Sequence, residues 1–250
     1  MTQTGMAVNR RSRTIWGLGV ATATAVTAFG VTAWQANAAP GPSAPPSVAA
    51  EQPHVSDPSP LPEAATGVGT DPLTSTEVGR ARTVALTAQL AAQARDVTRA
   101  PGPEYLAVEL AEDSGARTAN VYYYDYAGNK LVKQVVNLST GKLTGSYSAA
   151  GLQLPAAERE VSTALDLLLA SPLKSELTTA YQKATGHAWA GKDGLTVTAH
   201  VYKARPADTA TKQCGAHRCL QLVVETADGM FIDVNDIIID LSGRTVAHLA

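Results

Sequence analysis

The sequence predicts an α+β protein: two tandem modules, each a helix packed on an antiparallel sheet of about four strands. Three observations lead there. An Ala-rich helical segment precedes short alternating strands, the same order recurs further along, and the strand connections are too short for parallel crossovers. The chain has 250 residues with 45% hydrophobic content, enough for one large or two small domains with a proper core.

The first segment, residues 1–38, reads as an export signal and lies outside the fold. Arg10 and Arg11 open a basic region that continues through Arg13, and a mildly apolar stretch from Ile15 to Trp34 follows. Thr22, Thr24, Thr27 and Thr32 interrupt that stretch. Ala36-Asn37-Ala38 supplies a small-x-small cleavage site, with cleavage expected between Ala38 and Ala39. Mild apolarity behind paired arginines resembles the signal of the twin-arginine pathway. Arg13 and Thr14 stand where apolar residues are expected in that signal, so the general secretory route stays open. The expected location is secreted, or tethered to the cell surface if the signal is not cleaved. A stable membrane span after processing is not expected. Residues 39–71 form a Pro/Ala-rich tether, with prolines from Pro40 to Pro62 and few large apolar residues to bury.

The first module spans residues 72–150. Thr74 and Glu77 fit a capping box, and a helix to about Thr98 is stopped by Pro101-Gly102-Pro103. Strands are expected at Tyr105–Leu110, Ala119–Tyr126, Lys130–Leu138 and Lys142–Tyr147, separated by turn residues such as Gly128-Asn129. The second module spans residues 151–250. Leu154-Pro155 parallels Leu73-Thr74 and places Pro155 at a helix start. Val161, Ala164, Leu165 and Leu168 make one apolar stripe. A further helix is expected over Leu173–Thr185, ended by Gly186. Strands follow at Leu195–Ala204, Cys219–Thr226, Met230–Leu241 and Thr245–Leu249. Leu195, Val197, Ala199 and Val201 should face the helix, with Thr196, Thr198, His200 and Tyr202 outward.

The helix start Asp71–Glu77, the run Val121–Tyr126, and the repeated endings Val136-Asn137-Leu138-Ser139 and Ile239-Asp240-Leu241-Ser242 together resemble the N-terminal domains of copper amine oxidases. The resemblance covers roughly residues 72–250. It implies two successive non-catalytic units of cystatin-like shape in a secreted protein. It does not bring the oxidase with it. That family makes its quinone from the tyrosine of Asn-Tyr-Asp/Glu and holds copper with a His-x-His pair, and neither motif occurs here.

Other chemistries lack their anchors. A net charge of −2 removes the electrostatic footprint of a nucleic-acid binder. Gly186-x₄-Gly191-Lys192 has Asp193 where a phosphate loop needs Ser or Thr. No Gly-x-Ser-x-Gly and no His-Glu-x-x-His occurs. No catalytic residue, metal ligand or cofactor is therefore expected. Gln134–Leu138 nearly matches the Gln-x-Val-x-Gly hairpin of cystatin inhibitors, but Leu138 replaces the glycine, so a buried strand is the plainer reading. Tyr122, Tyr124 and Tyr126 share a strand face with Tyr123 opposite, suited to cross-strand packing or to stacking on a sugar or peptide. Cys214 and Cys219 are expected to form a disulfide in an exported chain. A metal or redox site with His217, and reduced thiols, are the alternatives. The functional expectation is a secreted, non-enzymatic module that meets a protein or cell-wall partner. An inhibitor or chaperone of a secreted hydrolase or oxidase is the alternative, and a small ligand between helix and sheet is a further one.

Overall fold

The computed structural model describes residues 65–111 and 115–249, all within one compact unit. The expectations for Arg10, Arg11, Ala38 and Ala39 fall outside the described residues. Helices and two antiparallel sheets make it an α+β protein. Among the described residues, no helix is long and apolar enough to cross a membrane.

The first helix, α1 (Ser75–Ala85), carries the full capping box: Glu77 N–H donates to Thr74 Oγ1 at 3.2 Å, and Thr74 N–H donates to the Glu77 carboxylate at 3.0 Å. The single helix expected to Thr98 is instead broken. Leu86 leaves the helical region, and Thr87 caps a second short helix, α2 (Ala88–Gln93), by accepting Leu90 N–H at 3.2 Å. Beyond Gln93 the backbone finds better partners than another helical turn would offer. Arg95 N–H donates to the Asp125 carboxylate at 3.0 Å, and Tyr126 N–H donates to the Arg95 carbonyl at 2.9 Å. Side-chain acceptors that compete with the helix ladder end it here.

Strands β1 (Glu104–Leu110), β2 (Thr118–Asp125), β3 (Lys130–Asn137) and β4 (Lys142–Ala150) form an antiparallel meander in sequence order. Ala119, Val121, Tyr123, Val132 and Val136 face Ala81 and Ala85 of α1 in one buried cluster. The near-cystatin segment Gln134–Leu138 begins in β3, paired on both sides, and continues into a fully buried Leu138. Gln134–Asn137 lie inside the sheet, and Leu138, which opens the turn to β4, is buried and not displayed.

The second half repeats the plan. Helix α3 (Glu158–Ala170) buries Ala164, Leu165 and Leu168 as its stripe required, and α4 (Lys174–Thr185) ends on left-handed Gly186 at φ 74°. The sheet runs β5 (Leu195–Tyr202), β6 (Cys219–Thr226), β8 (Ile237–Asp240) and β9 (Thr245–His248), with the two-residue β7 (Phe231–Ile232) also on β6. Leu195, Val197, Ala199 and Val201 pack toward the helices, as the alternation required. The expected strand Met230–Leu241 is interrupted. Ile237 N–H donates to the Val234 carbonyl at 3.0 Å, a turn that lets β8 re-engage β6 nearer its start.

Cys214 and Cys219 form a disulfide, which takes both thiols. His217 turns its ring to the Asp240 carboxylate at 2.8 Å instead of toward sulfur. The bridge closes a separation of only 5 residues, so the entropic account gives about 2 kcal/mol. Replacing both cysteines with serine is expected to lower the melting temperature and leave the fold intact. Full alkylation of the native protein without reductant would contradict the bridge.

Candidate binding cleft

The seam between the two halves is set by one device used twice. In the first half Arg117, just before β2, forks onto Glu77 of α1, with Nε to Oε1 at 2.6 Å and Nη2 to Oε2 at 2.7 Å. In the second half Arg218, just before β6, forks onto Glu160 of α3 at the same 2.6 and 2.7 Å. The remaining guanidinium donors match as well: Arg117 donates to the carbonyls of Asp71 and Pro72, and Arg218 to those of Leu154 and Pro155. The Arg117 and Arg218 carbonyls accept Leu138 N–H and Leu241 N–H respectively. Pro155 therefore corresponds to Pro72, two residues away from the alignment that pairs Leu154 with Leu73. The shift arises because Ala157, which has no side-chain oxygen, is the cap. Glu160 reaches back to its N–H at 2.9 Å and supplies half of the box alone. Pro155 precedes the helix and is not its first residue.

Bidentate Arg–carboxylate pairs are strong and directional. Hydrogen bonds from Arg117 hold the Glu77 carboxyl down near pH 2 against the opposing effect of its burial. That stabilisation is present above the unfolded value near 4.5 and is lost as the pH falls toward 2. Burial works against the charge on Arg218, yet its hydrogen bonds to Glu160 raise its pKa.

Three further contacts lock the halves. Tyr126 donates its phenol to Glu160 at 2.6 Å, and Tyr124 packs edge-to-face on Tyr126 at 4.8 Å within the core of the second half. Arg99 donates to the carbonyls of Tyr126 and Ser242, and Arg244 to that of Val97 at 3.1 Å. Both arginines hold positive φ, 73° and 54°, a conformation that costs non-glycine residues energy and that these reciprocal contacts offset.

Where α1, the Pro101–Tyr105 segment and the N-terminus of α3 meet, the seam leaves a cleft of about 820 Å³. The Arg82 guanidinium lies over the Tyr105 ring, 4.0 Å from its centroid, and Leu86 stands 45% exposed at the rim. Arg159 on α3 reaches the Asp96 carboxylate and lies 3.8 Å from that of Glu104. Asp96 is buried, which alone would raise its pKa. Hydrogen bonds from Thr98, Arg159 and Ala100 outweigh that and keep it low. Glu104 is the opposite case: burial raises its pKa against the Val97 N–H at 3.1 Å and the more distant Arg159. Two carboxyls pushed in opposite directions invite an acid–base reading. Both also hold the loop: Asp96 closes the turn at Thr98 and Ala100, and Glu104 accepts Val97 N–H through Oε2. The cleft can bind and orient, with cationic, aromatic and apolar surface at its rim.

A carboxyl with a raised folded pKa stabilises the fold only while protonated. Its contribution is therefore present below the unfolded value near 4.5 and is lost as the pH rises through the folded value. Glu104→Gln keeps an acceptor for Val97 and removes the buried charge. Its melting temperature is expected to exceed that of the wild type at pH 7, with the gap closing in acid. A gap that persists unchanged below pH 4, or reverses sign at pH 7, would contradict this.

Of the residues singled out from sequence, Cys214 and Cys219 come together on the outer side of the second sheet, away from the cleft. Tyr123 faces α1, Tyr124 and Tyr126 are buried in the seam, and Tyr122 donates to Glu109, so the tyrosine row packs and does not form an open stacking face. Arg117, Arg218, Asp96, Glu104 and Arg159 carried no local signal. The one available clue was a Glu at the third position of each helix start.

No protein-family model matches the sequence, and no curated protein matches it. Among solved structures, a copper-containing benzylamine oxidase from Hansenula polymorpha is similar over 72% of this chain at 16% identity and a TM-score of 0.39. The match takes in 29% of the oxidase, so this chain spans less than a third of that protein's length.

Proposed function

We propose that the chain is an exported, non-enzymatic binding protein. Two cystatin-like units, residues 72–150 and 151–250, follow a Pro-rich tether, and the cleft at their seam receives a protein partner at the cell surface or in the medium. The observation that carries this reading is how the cleft divides its polar groups. Asp96 and Glu104 each accept from the loop, while Arg82 on Tyr105, Leu86 and the Pro101–Pro103 edge line the opening toward a ligand. Such a rim suits an extended polypeptide that offers an acidic group beside apolar side chains. Export rests on Arg10, Arg11 and the Ala36-Asn37-Ala38 site. Inhibition of papain-like proteases through Gln134–Leu138 is not favoured, because that segment is interior to the sheet.

A photoreactive residue in place of Leu86, in the producing cells, tests the reading. One discrete polypeptide adduct is expected from Leu86, absent when Arg82 is also changed to Glu, and absent from the more exposed Tyr147. Identical products from both positions, or none from Leu86, would refute it. Incubation with copper and common amines should yield neither peroxide nor a quinone band.

A further inference from the structure

A second, smaller pocket lies on the far side of α2, over the first sheet, and shares no residue with the cleft. Its volume is about 250 Å³, room for about eight waters at ~30 Å³ each, which is the bulk of a single sugar ring. At its floor is Gln134, in the middle of β3 and only 3% exposed. Its Oε1 has no hydrogen-bond partner. A buried amide oxygen without a partner is rare in native proteins and calls for an explanation.

The surroundings indicate which ligand would supply one. Ser146 lies directly opposite Gln134 on β4, and Ser148 two residues on shares its face. Gln89 and Gln93 of α2 are one helical turn apart and line the same pocket. These four side chains offer hydroxyls and amides, each able to donate and accept. The charges at one end cancel: Lys130 Nζ lies 3.9 Å from the Asp125 carboxylate, whose other oxygen accepts Arg95 N–H and Ala127 N–H. Leu90 and Val132 add small apolar faces. Neutral, two-way hydrogen bonding over an apolar patch matches a polyhydroxylated ring, whose C–H face and O–H rim have the same division.

We infer that the pocket between α2 and the β3–β4 strands binds one neutral sugar residue, with the Gln134 amide turned to hydrogen-bond its hydroxyls. The inference does not rest on the cleft and survives its failure. The test is titration of the 250-residue chain with glucose and with N-acetylglucosamine, followed by two-dimensional amide NMR. Saturable shifts are expected at the Gln134 side-chain amide and the backbone amides of Gln93, Ser146 and Ser148 with at least one sugar. Gln134→Leu, which fills the same space without polar atoms, should weaken that binding roughly tenfold or more while the protein stays folded. Ser146→Ala, at an exposed position, is a second variant expected to weaken binding if Gln134→Leu proves unstable. No saturable shift with either sugar, or binding unchanged in whichever variant folds, would overturn the inference and leave the pocket to ordered water.

Discussion

Arg218→Met is expected to cost about 3–5 kcal/mol, because it strands the Glu160 carboxylate in the core with no counter-charge. Both side chains are 0% exposed, so water cannot replace the lost partner. The carbonyls of Leu154 and Pro155 lose their donors in the same step. For a chain of this size each kcal/mol moves the melting temperature by roughly 2–4 °C, so thermal unfolding should shift by roughly 6–20 °C. The double variant Glu160→Leu/Arg218→Met should recover part of the loss, since buried pairs are often replaceable by apolar groups. Recovery should be incomplete: Ala157 N–H and the Tyr126 phenol would still be left without the Glu160 carboxylate. A single variant within 1 kcal/mol of wild type would remove the pair from its structural role.

Tyr124→Ala should be nearly as damaging, by about 3–5 kcal/mol, the usual cost of deleting a buried aromatic side chain. Tyr124 is 1% exposed, yet it belongs to the first sheet while its ring lies in the core of the second half. Its ring also carries the Arg218 guanidinium at 5.2 Å. The loss is therefore shared across the seam. In urea the wild type should unfold in one transition and Tyr124→Ala in two, as each half comes to depend on its own helix and sheet. A variant that loses under 1 kcal/mol and keeps one sharp transition would show that the ring does not join the halves.

The α+β class was legible because alternation, helix stripes and turn residues all agree in this chain. The β5 alternation placed Leu195, Val197, Ala199 and Val201 toward the helices, but Tyr202, expected outward, is buried against Cys214 and Cys219. Boundaries failed where side chains outbid the backbone ladder, at Thr87 and at the Asp125 contact with Arg95. The repeat was visible, but its register was two residues out, because Ala157 hides the cap that Thr74 displays. The clamps themselves were beyond reach. Glu77 and Arg117 are 40 residues apart and Glu160 and Arg218 are 58, so no fixed spacing betrays them. Glu104 looks like any strand-end carboxylate until the neighbouring loop folds over it.

A standing cleft requires its seam to be permanent, within one cooperative body built from two halves. Native-state hydrogen exchange at Leu138 and Leu241 tests this most directly. Each amide bonds to the carbonyl of its own clamp arginine, at 2.9 and 3.0 Å, and each side chain is buried to within 2%. If the seam is permanent, both amides exchange only by global unfolding and report the same opening free energy, equal to that from urea denaturation. If Leu138 exchanges through a cheaper opening while Leu241 stays protected, or the reverse, the halves separate in the native state and a cleft built on their seam is not a standing site.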